Sequence, residues 1–158
     1  MKIDIRQACP ADVSVLAQFN RQMAMETEGR ALDPERIIGG VSALLRDRAK
    51  GVYYVAEMGG EVVGQLLITY EWSDWRNGNF WWIQSVYVKK ELRGRGIFKA
   101  LYAHVLQLAR GRAGEVCGVR LYVDLDNAGA REVYQRLGSK AGVDRSLHQR
   151  RSAFDVIL

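Results

Sequence analysis

The chain has 158 residues, 48% hydrophobic and 26% charged, the make-up of a single globular domain over residues 1–158 that buries a core without disulfides or structural metal. Its net charge is +5 and its pI about 9.4, and no apolar run approaches the ~18 residues that a bilayer span needs. Two prolines exclude a Pro-rich chain, and the charged start Met1-Lys2-Ile3-Asp4-Ile5-Arg6 lacks the apolar stretch of a signal peptide, so a cytoplasmic protein is expected.

Residues 2–6 read as a short strand. Pro10-Ala11-Asp12 signals a helix start, and Val13, Leu16, Ala17, Asn20 and Met23 follow at helical spacing. Asp33-Pro34 opens a second helix with Ile37, Ile38, Val41, Leu44 and Leu45 as its apolar positions. Residues 52–57 and 61–71 form a hairpin about Gly59-Gly60, and a second turn at Asn77-Gly78 leads into the apolar strand 79–88. Ile97, Phe98, Leu101, Val105 and Leu108 mark one face of a helix ending near Gly111. A buried strand at 117–123 follows, then a helix carrying Ala130, Val133, Tyr134 and Leu137 with Gly138 as its stop. A basic stretch from Arg145 to Arg151 and a last strand at 153–158 complete the chain. Strands separated by helices, with hairpins in the middle, predict a mixed sheet covered by helices.

Cys9 and Cys117 lie far apart, without ligand-spaced partners, and are expected as free thiols. With only His104 and His148 available, no metal site is expected. Residues 89–112 hold Lys89, Lys90, Arg93, Arg95, Lys99, Arg110 and Arg112 against one acid, Glu91. Such a run fits an anionic partner: nucleic acid, an acidic membrane face, or a phosphorylated small molecule.

The informative segment is Ser85-Val86-Tyr87-Val88 followed by Arg93-Gly94-Arg95-Gly96-Ile97-Phe98-Lys99. A buried strand feeds a Gly- and Arg-rich turn that opens a helix. Glycines permit close backbone approach, and the first amides of the helix, with its dipole, suit a phosphate. Neither the Walker A pattern nor G-x-G-x-x-G is present.

Arg93-Gly94-Arg95-Gly96-Ile97-Phe98 resembles the R/Q-x-x-G-x-G/A acetyl-coenzyme A signature of the GNAT N-acetyltransferase superfamily, with Phe98 in place of the final Gly or Ala. Ile5-Arg6-Gln7-Ala8 with Asp12 resembles the superfamily's first strand and helix start, and Val86-Tyr87-Val88 its fourth strand. Asn127-x-x-Ala130-x-x-x-Tyr134-x-x-x-Gly138 is similar to its second motif. The ordered set covers residues 3–139.

The resemblance implies an α/β (α+β) fold: a mixed, mostly antiparallel sheet of 6–7 strands, splayed between strands 4 and 5 and flanked by about four helices. It implies transfer of an acetyl group from acetyl-coenzyme A to a primary amine. The cofactor would be held by main-chain groups of Val86 and Val88, by the turn and helix start from Arg93 through Gly94, Arg95, Gly96, Ile97 and Phe98 to Lys99, and by Asn127. Tyr134 stands at the general-acid position. Gln84 stands where many relatives carry Glu and cannot act as a base. Glu26, Glu28, Tyr70, Glu71 and Trp82, with Gln84, are the acceptor-side candidates, since acids beside aromatics suit a cationic amine. The expected partners are acetyl-coenzyme A and the amine, with no metal, nucleic acid or membrane; a homodimer through the tryptophan-rich hairpin is an option. Two readings compete with catalysis: a GNAT-like sensor that binds coenzyme A without turnover, and a basic nucleic-acid-binding module.

Overall fold

A computed structural model describes residues 2–124, 128–136, 140–142 and 151–157. Among the described residues seven strands hydrogen-bond in the order β1 (Asp4–Gln7), β2 (Val52–Met58), β3 (Glu61–Ser73), β4 (Gly78–Val88), β5 (Val116–Asp124), β7 (Arg151–Ile157), β6 (Lys140–Gly142). The α-helices are α1 (Val13–Glu28), α2 (Pro34–Arg46), α3 (Ile97–Arg110) and α4 (Ala128–Arg136). This is the expected α+β class, with a strand count inside the expected range. The chain divides into two compact units, one of Met1–Thr69 with Ser85–Val105, the other of Tyr70–Gln84 with Leu106–Leu158.

In the first unit β1 and β3 pair antiparallel on either side of β2. Successive β2 side chains point to opposite faces, and both faces are buried. Tyr53 and Val55 join Leu16 of α1, Val41 of α2 and Leu67 of β3 in one cluster. On the other face, Tyr54 meets His104 of α3 edge-on, with ring centroids 5.3 Å apart. The Asp33 side chain caps α2 by accepting from the Arg36 amide at 2.7 Å, and α1 stops at Gly29, whose φ of +61° a glycine adopts without steric cost. Gly59 and Gly60 both have positive φ, which makes the β2–β3 turn the primed type that fits strand twist.

Asp12 ends the 3-10 turn Pro10–Asp12 and is buried. Arg6 donates to both its oxygens, at 2.8 and 3.0 Å, and the Cys9 amide donates at 2.8 Å. The Arg6 hydrogen bonds hold the Asp12 carboxyl below the usual carboxylate range. A group depressed in this way adds stability above its unfolded pKa of about 3.9, and that stability is lost as pH falls through the lower folded value. Urea unfolding is therefore expected to show a midpoint that declines below about pH 4. Asp12→Asn is expected to be about 1–3 kcal/mol less stable at pH 7 and to flatten this acid limb.

In the second unit β4 pairs parallel with β5, and β5 and β6 pair antiparallel with β7. The Asn77-Gly78 expectation needs one correction. The turn comprises Asp74–Asn77, Asn77 alone takes φ +48°, and Gly78 already belongs to β4. Space at 78 is tight: a Cβ there would lie 3.2 Å from both the Cys117 Cβ and the Glu115 carbonyl oxygen. The helical stripe at 130–137 is also narrower than expected: Tyr134 is buried, whereas Val133 is exposed. Leu137, Gly138 and His148 lie outside the described residues.

Candidate active site

The β4–β5 ladder ends at the Ile83–Leu121 pair, although β4 runs on to Val88 and β5 to Asp124. Ser85, two residues on, is left-handed, with φ +49°. For a non-glycine residue this costs roughly 1–2 kcal/mol. Beyond it Val86 is half-buried and Val88 buried. The Lys89 amide donates to the Val63 carbonyl at 3.0 Å, which ties the end of this strand to β3.

After a 3-10 turn at Lys90–Leu92 the chain passes through Gly94 (φ +79°) and Gly96 (φ +81°). No atom lies within 4 Å of a Cβ at either position, so glycine is required here by backbone conformation and not by crowding. The Ala100 amide closes the first helical turn onto the Gly96 carbonyl at 2.9 Å. The amides of Ile97, Phe98 and Lys99, in that first turn, have no intrahelical acceptor and point along the positive end of the helix. Ile97 is 1% exposed and Gly64 makes room for it, since a Cβ on Gly64 would sit 3.2 Å from Ile97 Cγ2 and 3.1 Å from the Tyr87 carbonyl oxygen. The Phe98 ring lies 5.8 Å from that of Tyr102. Its bulk at the signature's last position is thereby directed along the helix.

Arg93, Arg95 and Lys99 are all exposed. Among the described residues Arg95 and Lys99 form no ion pair, which leaves two cations beside the helix start. Arg93 differs. Its Nε donates to the Val88 carbonyl at 3.0 Å, its Nη2 to Glu26 at 2.6 Å, and its guanidinium lies 5.4 Å from the Tyr87 ring centre. Tyr87 in turn donates to Glu26 at 3.3 Å. The Arg93 hydrogen bond lowers the Glu26 pKa. Glu26, expected on the acceptor side, thus ties the end of α1 to the turn that begins at Arg93. Two cavities of the first unit lie along α1: one of about 330 Å³ lined by Arg21, Met25 and Leu32, one of about 550 Å³ lined by Phe19, Gln22, Tyr87 and Lys89.

The remaining acceptor candidates divide between the units. Glu28, on α1, is exposed. In the second unit Tyr70, Glu71 and Gln84 are exposed and Trp82 is half-buried. Trp82 Nε1 donates to Glu71, which also accepts from Arg120 Nη1 at 3.3 and 3.4 Å. Arg120 stacks 3.5 Å from the Phe80 ring centre, and Trp82 stacks on Tyr122 at 4.6 Å. Glu71 and Trp82 are therefore brought together, with a cation that sequence spacing did not single out. Tyr134 is 8% exposed on α4; Asn127 lies outside the described residues.

The Acetyltransferase (GNAT) family model matches residues 16–139. The chain belongs to the GNAT acetyltransferase family. Its GNAT fold superposes on the crystal structure of a possible acetyltransferase from Clostridium difficile 630 with a TM-score of 0.83, 43% identity, and coverage of 94% of this chain and 97% of that one. An uncharacterised N-acetyltransferase of Methanocaldococcus jannaschii is 33% identical over 95 residues. That match spans 60% of this chain and 41% of the relative's length. The structure of yncA from Salmonella typhimurium with acetyl-CoA has the same fold, at a TM-score of 0.76 and 19% identity, with 100% of this GNAT chain and 95% of that chain covered.

Among the described residues no helix is long and apolar enough to cross a membrane, and no group of three or more His, Cys, Asp or Glu residues could hold a metal ion.

Proposed function

We propose that this protein transfers the acetyl group of acetyl-coenzyme A to a primary amine, a small cationic one, by direct attack. The observation that carries the reading is the turn from Arg93 to Lys99. Two left-handed glycines open α3 at the end of a strand whose ladder with β5 has already stopped. Family membership and the coenzyme seen with yncA support the same cosubstrate. The amides of Ile97 to Lys99 hold the pyrophosphate, with Arg95 and Lys99 neutralising it. The main chain of Val86 and Val88 pairs with the cofactor arm, and Asn127 contacts it.

An alkylamine with a pKa near ~10 must lose a proton before it attacks. Gln84 cannot take that proton, so water carries it out of the site. The amine nitrogen bonds to the thioester carbon, and a β4 amide stabilises the resulting oxyanion. The carbon–sulfur bond then breaks, the Tyr134 hydroxyl protonates the thiolate, and the proton shed by the new amide nitrogen returns through water to the tyrosinate. Glu71 and Trp82 recognise the cation, and Tyr70 and Gln84 line the acceptor side. Glu71→Gln is expected to raise the acceptor KM at least about threefold, in line with a charged hydrogen bond lost at an exposed site. The KM for acetyl-coenzyme A should stay unchanged; steady-state kinetics against both substrates checks this.

A panel of amines assayed for coenzyme A thiol release tests the reading as a whole. Gln84, an amide where a base would stand, favours a second reading, a coenzyme A sensor without turnover. Calorimetric binding of coenzyme A, with no thiol release above the uncatalysed rate for any amine, would select it. Sub-micromolar, salt-dependent nucleic-acid binding would overturn both.

A further inference from the structure

Three polar side chains from three elements converge on the kink at Ser85. Gln65 of β3 is fully buried, and its Nε2 donates to the Ser85 carbonyl at 3.1 Å and to Asn20 Oδ1 at 3.2 Å. Asn20 of α1 is 3% exposed and donates to Tyr53 Oη at 3.0 Å. Tyr53 of β2 also bonds the Ser85 side chain. Both amides are withdrawn from water, and Val63, on the same face of β3 as Gln65, is 2% exposed. Burying amides in such a place is unfavourable unless they are fully bonded. Gln65 Oε1 has no hydrogen-bond partner among the described residues. An apolar side chain of equal volume would avoid that penalty, so packing alone does not account for a glutamine here. What the glutamine does reach is the carbonyl of a left-handed, non-glycine residue.

The geometry points to Gln65, braced by Asn20, as a positioning residue that holds Ser85 left-handed and so aims the main chain of Val86 and Val88 at the acetyl group and cofactor arm. The inference rests on the acetyltransferase reading for what is aimed at, and on the hydrogen bonds for what does the aiming. Successive peptide groups of a strand face opposite sides. Relaxing Ser85 to ordinary extended backbone would turn the Val86 amide away from its present direction.

Gln65→Met tests this, because it keeps the volume and removes both donors. In the variant, kcat with the best amine of the panel is expected to fall at least about tenfold and the KM for acetyl-coenzyme A to rise by a smaller factor, because the oxyanion contact is made only in the transition state and the arm contact in both states. In ¹⁵N-labelled protein the Ser85 and Val86 amide resonances should move, and the Val86 shift on adding coenzyme A should shrink. A role in stability only would lower the melting temperature and leave kcat per folded molecule and both resonances in place, which overturns the inference. Should Gln65→Met fail to fold, Asn20→Ala removes the brace and leaves β3 intact, and at least a threefold loss in kcat with the same resonance shifts is expected; unchanged kcat and resonances overturn the inference. A wild-type protein that turns over no amine fails the acetyltransferase reading instead, and the amide shifts then still decide whether Gln65 holds the kink.

Discussion

Gly96→Asp is expected to abolish acetyl-coenzyme A binding while leaving the fold in place. Gly96 has φ +81°, a conformation that costs an L-residue roughly 1–2 kcal/mol. An aspartate immediately before Ile97 would regain part of that cost, because its carboxylate can accept from the first amides of α3. The side chain would project into open space, since no atom lies within 4 Å of a Cβ at this position. The protein would thus tolerate the change, and the ligand would not. The carboxylate would occupy the amides proposed for the pyrophosphate and oppose its charge by about 4 kcal/mol per charge pair at 4 Å and an effective dielectric of 20. That corresponds to a loss of about a thousandfold in affinity. Calorimetry should show binding by wild type and none by the variant at the same concentrations. Cofactor at 100 times its Kd should stabilise wild type by about 2.7 kcal/mol and the variant by nothing measurable. Gly94→Asp should behave alike, since Gly94 shares the left-handed conformation and the open surroundings. Either variant binding like wild type would move the cofactor site elsewhere.

Tyr134→Phe is expected to lower turnover at least about tenfold, at the low end of the 10²–10⁴ that general-acid help supplies because water can stand in for the hydroxyl. Tyr134 is 8% exposed, so the ring contributes to packing in either case. Phenylalanine keeps the ring and removes the proton. Stability and cofactor affinity should therefore change little, and the loss should fall on kcat. Single-turnover measurements, in which chemistry and not product release is observed, check this. Wild-type turnover in the variant would leave Tyr134 as a packing residue of α4.

Sequence periodicity was sufficient for the element order because strand and helix differ in side-chain period, and caps and tight turns are set by residues close in sequence. Asp33 caps α2 from three residues away, and the paired glycines at 59 and 60 close their hairpin without help from the rest of the chain. The Arg93–Lys99 turn was legible for the same reason: Gly94 and Gly96 are required by local backbone angles that sequence encodes directly. What neighbours across the fold do to a side chain was not legible. Spacing placed Glu26 and Glu71 among the acceptor-side acids without showing their partners in the fold: Arg93, 67 positions away, donates to the first, and Arg120, 49 positions away, to the second. No local pattern encodes such partners.

Gln65 did leave a trace, a lone amide inside the apolar run 62–68, and Asn20 another, a polar residue at a helix position that faces inward. Neither trace says what the amide is for until β2, β3, β4 and α1 are brought together. The class of fold, the order of its elements and the glycine turn were determined by the sequence alone, because they depend on backbone preference and hydrophobic period. Which charges are balanced, which glycines are needed for space, and which buried amides support the kink at Ser85 were decided by the tertiary structure. Those properties belong to pairs of residues that only folding makes neighbours.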